Sequence, residues 1–144
     1  EGVQAQTYSV VRQAQDHQLP LLFVFNKMDR DCAEFRSSCV LAARQLDVDI
    51  VPLQLAYFDD NHFCGIIDLL SMKLVEWNPL DDCADCTVLP IPESLVERAD
   101  DAHHQLCSKV AELSELYENH YLEHSTLSPQ MLHDGIAQAV KQRK

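Results

Sequence analysis

The amino-acid sequence predicts an α/β chain: a helix–strand–helix piece of an open parallel sheet, an inserted antiparallel α+β subdomain, and long C-terminal helices. Three observations carry this. A continuous apolar run, Leu21-Leu22-Phe23-Val24-Phe25, lies between two stretches of helical periodicity, as a strand covered on both faces of a parallel sheet does. From residue 49 the pattern changes to short apolar runs separated by turn residues. From Pro92 onward apolar positions recur at alternating spacings of four and three, which is one face of a long helix.

Taken in order, residues 3–18 read as a helix with Val3, Thr7, Val10, Val11 and Ala14 on its apolar stripe, ended by Leu19-Pro20. The strand 21–25 follows, then a polar exit from Asn26 to Arg30, then a helix over about 33–46 with Phe35, Cys39, Ala42, Ala43 and Leu46 inward. In open α/β sheets ligands bind beyond the carboxyl ends of strands, so the polar exit is the place to look for chemistry. Residues 50–55 predict a strand near an edge, because Pro52 cannot donate to a ladder. A turn is expected over 57–62, a strand pair over 63–70 and 72–77, an acidic loop over 78–85, and one more strand over 87–91. Pro92 and Glu93 suit a helix start. The stripe Ala99, His103, Leu106, Val110, Leu113, Tyr117 and His120 predicts one helix running to about Leu122. After a polar loop, Ser128-Pro129 opens a last helix whose basic end, Lys141-Gln142-Arg143-Lys144, suits the negative end of the helix dipole.

Composition narrows the function classes. The chain has 144 residues, 47% apolar and 24% charged, which is the make-up of a core-bearing domain. A net charge of −12 repels phosphate backbones, so direct nucleic-acid binding is a poor expectation. No apolar run reaches the roughly 20 residues that cross a bilayer, so no membrane partner is expected. The six cysteines (32, 39, 64, 83, 86 and 107) read as reduced thiols in a chain with an ordinary core and no secretory signal. The first residue is Glu1 and not Met, so the chain is read as an excerpt or a processed product.

The motif that carries chemistry is Asn26-Lys27-Met28-Asp29, directly after the apolar run. Guanine presents N1–H and its exocyclic amino group as neighbouring donors. A single carboxylate, Asp29, can accept from both, and adenine offers no such pair. Lys27 can lay its methylene stem along the base, and Asn26 can brace the surrounding loops. The bland alternative is a polar loop capping the next helix, with Asp29 or Asp31 near its N-terminus.

Glu1-Gly2-Val3-Gln4-Ala5-Gln6-Thr7, Arg12-Gln13-Ala14, Leu19-Pro20 and Asn26-Lys27-Met28-Asp29-Arg30 together resemble elongation factor G and its mitochondrial relatives, including the ribosome-releasing factor. In register, Gln54-Leu55, Phe63-Cys64-Gly65-Ile66-Ile67-Asp68-Leu69-Leu70, Trp77, Leu106 through Val110-Ala111-Glu112, and Tyr121-Leu122-Glu123 continue the likeness, which covers essentially the whole chain. The resemblance implies a P-loop GTPase-type sheet. Residues 1–48 would be part of the GTP-binding domain, 49–128 the inserted α+β subdomain, and 129–144 the helix leading back. Asn26, Lys27 and Asp29 would be the guanine contacts. It also implies GTP or GDP as ligand, Mg²⁺ in the whole factor, and the ribosome as partner, reached through its acidic stalk protein. The compartment expected is the mitochondrion, otherwise the cytoplasm. Two places depart from the family: Cys32 where Gly is common, and Ala56-Tyr57-Phe58 where a Pro-Ile-Gly turn is usual.

A phosphate-binding loop of the form Gly-x4-Gly-Lys-Ser/Thr cannot be built from glycines at 2, 65 and 135. There is no Asp-x-x-Gly loop and no Ser-Ala-Leu/Lys-like loop to close over the base. In the resembling family the first two lie before Glu1 and the last beyond Lys144. Residues 1–144 alone are therefore expected to lack GTPase activity and to bind nucleotide feebly at best. Strand 21–25, without sheet neighbours, would be an exposed apolar edge. Two other uses compete. Cys83, Cys86, His103 and Cys107 have spacings that could enclose one Zn²⁺, and the acidic α+β subdomain could serve as a non-enzymatic protein-docking module.

Overall fold

The structure, a computed structural model, describes residues 3–30, 33–77 and 85–142. Cys32, Cys83, most of the acidic loop 78–85 and the last two basic residues lie outside these. By compactness the chain divides into residues 1–50 with 138–144, and residues 51–137.

In the first unit, α1 (Ala5–Asp16) and α2 (Phe35–Leu46) flank the segment that carries the motif. Val11, Ala42 and Leu46 form its buried core, with Val3, Phe23, Phe25, Val48 and Ile50 packed against them. The apolar stripe of α1 is narrower than the sequence suggests, since Val10 is left exposed. α2 starts where Glu34 accepts from the amides of Arg36 (3.2 Å) and Ser37 (2.7 Å), satisfying donors that a helix start leaves unpaired. It stops at Asp47, whose left-handed backbone (φ 53°) ends helices.

Segment 21–25 differs from expectation. It has no strand partner among the described residues, so it belongs to no sheet. Only one face is covered: Phe23 and Phe25 pack inward, while Leu22 and Val24 remain 79% and 81% exposed. The physical reason is plain. A strand is defined by a neighbour, and the pattern of two apolar faces anticipates partners that the described residues do not supply.

The second unit is a four-stranded antiparallel meander in the order β1 (Gln54–Asp59), β2 (His62–Asp68), β3 (Lys73–Trp77), β4 (Cys86–Leu89), followed by α3 (Glu93–Ala111), α4 (Glu115–His124) and the start of α5 (Pro129–Gln142). Its core includes Leu55, Ile67, Leu69, Leu74, Ala99, Leu106, Cys107, Val110, Leu127 and Leu132. β1 begins at Gln54, later than the expected strand, and runs through Tyr57–Asp59 in place of the expected turn, with a register shift between Tyr57 and Phe58. The turn itself is Asp60-Asn61, both at positive φ (44° and 65°), the backbone that a two-residue hairpin needs and that Asn and Asp tolerate.

The expected single helix of 92–122 is two helices. Chain direction resets over 112–114, and the Ser114 hydroxyl accepts from the Tyr117 amide (3.4 Å) to start α4. Spacings of four and three continue across the break because Leu113 and Tyr117 fall in phase by chance. A serine able to cap decides for termination. A Cβ placed at Gly135 would meet Val110 and Tyr117, so α5 comes close to α3 and α4 at that point. No helix of the described residues is long and apolar enough to cross a membrane.

Candidate functional site

Phe25 anchors the end of segment 21–25, its ring edge-on to Phe35 of α2 with centroids 5.4 Å apart. From that anchor the chain turns. The Asn26 side-chain oxygen accepts from the Lys27 amide (2.8 Å). Lys27 takes a left-handed backbone (φ 62°), uncommon for a residue with a Cβ. The Arg30 amide then donates to the Lys27 carbonyl (3.3 Å), and the Ala33 amide to the Arg30 carbonyl (3.0 Å).

This folding presents Asn26, Lys27 and Asp29 as exposed side chains, with Met28 half-buried between them. Asp29 is neither buried nor hydrogen-bonded to another described residue, so its two carboxylate oxygens are accessible to a donor pair. The capping alternative loses its motive, because Glu34 already supplies the acceptors at the start of α2. Asp31 lies outside the described residues. Among the described residues, two surface clefts lie elsewhere. One is lined by Gln15, Gln18, Leu19 and Gln142, the other by residues that include Leu70, His103, His120 and His124. Neither includes residues 26–29.

The metal alternative fares worse. His103 and Cys107 do meet, with Nε2 and Sγ 3.4 Å apart. The rest of the imidazole is spoken for: Nδ1 donates to the Leu69 carbonyl (2.8 Å), and Nε2 lies 3.2 Å from the Thr126 hydroxyl. Cys107 is fully buried. Cys86 sits on β4, and among the described residues no group of three or more His, Cys, Asp and Glu side chains is placed to hold a metal. His103 is explained as a tie between α3 and the segment after β2. Its clue in the sequence is its place on an otherwise apolar stripe.

Mg²⁺ is implied by the resemblance for the whole factor, not for these residues. An octahedral oxygen-ligand site joined to phosphates needs a Ser or Thr after Gly-Lys and a carboxylate opposite, and this chain supplies neither pattern.

The chain matches the model of the elongation factor Tu GTP binding domain over residues 1–136. Its fold is similar to that in a crystal structure of a Thermus thermophilus protein, with a TM-score of 0.81 and 21% identity. That likeness covers 96% of this chain and 20% of the other, so the chain spans about one-fifth of that relative's length. Matched over nearly its whole length, the chain belongs to the elongation factor Tu GTP-binding-domain family.

Proposed function

We propose that residues 26–29 are the guanine-reading turn of an elongation factor G-type translational GTPase. The observation that carries this is the exposed Asp29 carboxylate on a turn that leaves the end of an apolar segment, beside a helix capped by a different residue. Asp29 would accept from guanine N1–H and the exocyclic amino group. Lys27 would cover one face of the ring with its stem. Asn26, already bonded to the Lys27 amide, holds the turn that sets both directions. Residues 49–128 would be the inserted subdomain and 129–144 the return to the GTP-binding domain. In the whole factor the ligand would be GTP or GDP, with Mg²⁺ held by parts outside this chain.

The partner proposed is the ribosome through its stalk protein. An acidic stalk and a chain of net charge −12 repel at long range, so such a contact would rest on apolar side chains. Val96, Leu116 and Leu122, exposed on α3 and α4, are of the right kind.

The test uses this chain joined to a phosphate-binding half. Replacing Asp29 by Asn removes a charged acceptor for two donors, worth about 3 kcal/mol or roughly a hundred-fold in GTP affinity. Xanthosine triphosphate, whose O2 suits an amide donor, should gain in the same variant. GTP affinity that does not change would sink the assignment.

A further inference from the structure

Of the seven histidines in the chain, two stand one helical turn apart on the same element. His120 and His124 occupy the last turns of α4, with ring centroids 4.4 Å apart and planes tilted by 53°. Nothing in guanine recognition uses them. Residues four apart share a helix face, and two histidines at that spacing form a metal-binding pair in helical zinc sites.

The separation can be tested against coordination geometry. With metal–nitrogen bonds of about 2.0–2.1 Å, each ring centre lies about 3.2 Å from the ion. Two rings bound cis at a right angle then have centres about 4.5 Å apart, and at a tetrahedral angle about 5.2 Å. The observed 4.4 Å is close to the right-angle value, the angle of tetragonal ions. Surroundings favour a cation as well. α4 carries Glu115, Glu118 and Glu123 and no Lys or Arg, and its C-terminal turn is the negative end of the helix dipole. Both rings border an open cleft shared with Ser71 and Thr126, leaving room for water on the remaining coordination positions. The Glu123 carboxylate lies 3.8 Å from His124 Nε2, adding negative charge beside the pair, but no group of three or more His, Cys, Asp and Glu side chains is placed to hold a metal among the described residues.

The geometry points to a two-histidine chelate at His120 and His124 for a divalent transition metal, with copper(II) first among the candidates. Imidazole suits copper, nickel and zinc, and copper lies at the top of the affinity order for divalent first-row ions. Both ligands belong to one helix, so binding ties its last turns together. It does not depend on nucleotide recognition by Asp29.

The experiment titrates Cu²⁺ into the 144-residue chain after accessible thiols are capped with N-ethylmaleimide, since Cys86 is exposed and free. Electron paramagnetic resonance of the bound ion should show hyperfine splitting from two nitrogens. His120→Gln and His124→Gln should each weaken binding on the order of ten-fold or more, while His133→Gln, on exposed α5 surface, should not. Acidification should release the ion, because a proton competes for the imidazole lone pair. A one-nitrogen spectrum overturns the assignment even if a variant fails to fold. So does binding that survives either substitution at 120 or 124, or that weakens equally on substitution at 133.

Discussion

At the residue scale, two glycines and one cysteine show how local surroundings set what a position tolerates. Gly65 lies where β2 passes β3, and a Cβ there would run into the Val75 carbonyl and come within 3.0 Å of the Glu76 Cα. Backbone cannot step aside cheaply, so Gly65→Ala should destabilise the chain by about 1–3 kcal/mol in denaturant unfolding. The obstacle at Gly135 is a side-chain methyl of Val110. There the pair Gly135→Ala with Val110→Ala should be less destabilised than Val110→Ala alone, because alanine favours a helix interior over glycine by about 1 kcal/mol. Chemical denaturation of the two variants checks the order. The Cys39 thiol is pushed above its ordinary value, first because partial burial disfavours the thiolate and second because the Glu34 carboxylate repels it. The folded state thus holds that proton more tightly than the unfolded chain. Its contribution is complete below the ordinary thiol value and is lost as pH rises through the raised one. Melting followed from neutral to alkaline pH should show a decline that is shallower in Cys39→Ala.

At the element scale, caps and turns decide boundaries that periodicity cannot. Ser114→Ala removes the acceptor that starts α4 and should cost about 1 kcal/mol, read from the unfolding midpoint. A loss much larger than that would mean that Ser114 has a further role. The same residue explains an error of anticipation: the stripe from Ala99 to His120 keeps helical phase through Leu113, so apolar spacing alone joins α3 to α4. Asp60-Asn61 was legible as a turn, but its two-residue length was not, because Tyr57 and Phe58 suit a strand as well as a loop. The start of β1 lies at Gln54 and not at 50 for the reason Pro52 signals, the absence of a donor. By contrast α2 was readable, since Phe35, Ala42 and Leu46 repeat at helical intervals and all turn inward to some degree. The candidate site was visible as four letters after an apolar run. The left-handed backbone at Lys27 and the capping role of Glu34 were not, because both depend on where the turn falls in three dimensions.

At the scale of the whole molecule, the two compact units are unequal in completeness. Residues 51–137 hold a full antiparallel sheet and a contiguous set of buried side chains from strands and helices. The unit of 1–50 and 138–144 has a smaller buried core and leaves Tyr8, Val10, Leu22, Val24, Val40 and Leu41 exposed. Unpaired edges of that kind promote self-association. Replacing Leu22 and Val24 together by Lys should lower light scattering by the 144-residue chain without shifting its unfolding midpoint. Scattering that stays the same would place the sticky surface elsewhere.

Phe23 and Phe25 have a consequence for assembly. By packing against the core of Val11, Ala42 and Leu46, they fix that stretch along one face and leave Leu22 and Val24 outward before any companion arrives. Most of the disorder that a new ladder must overcome is thereby removed in advance. A β-strand laid along this rim would find a template already drawn, and the turn carrying Asn26 to Asp29 would be carried into register with it.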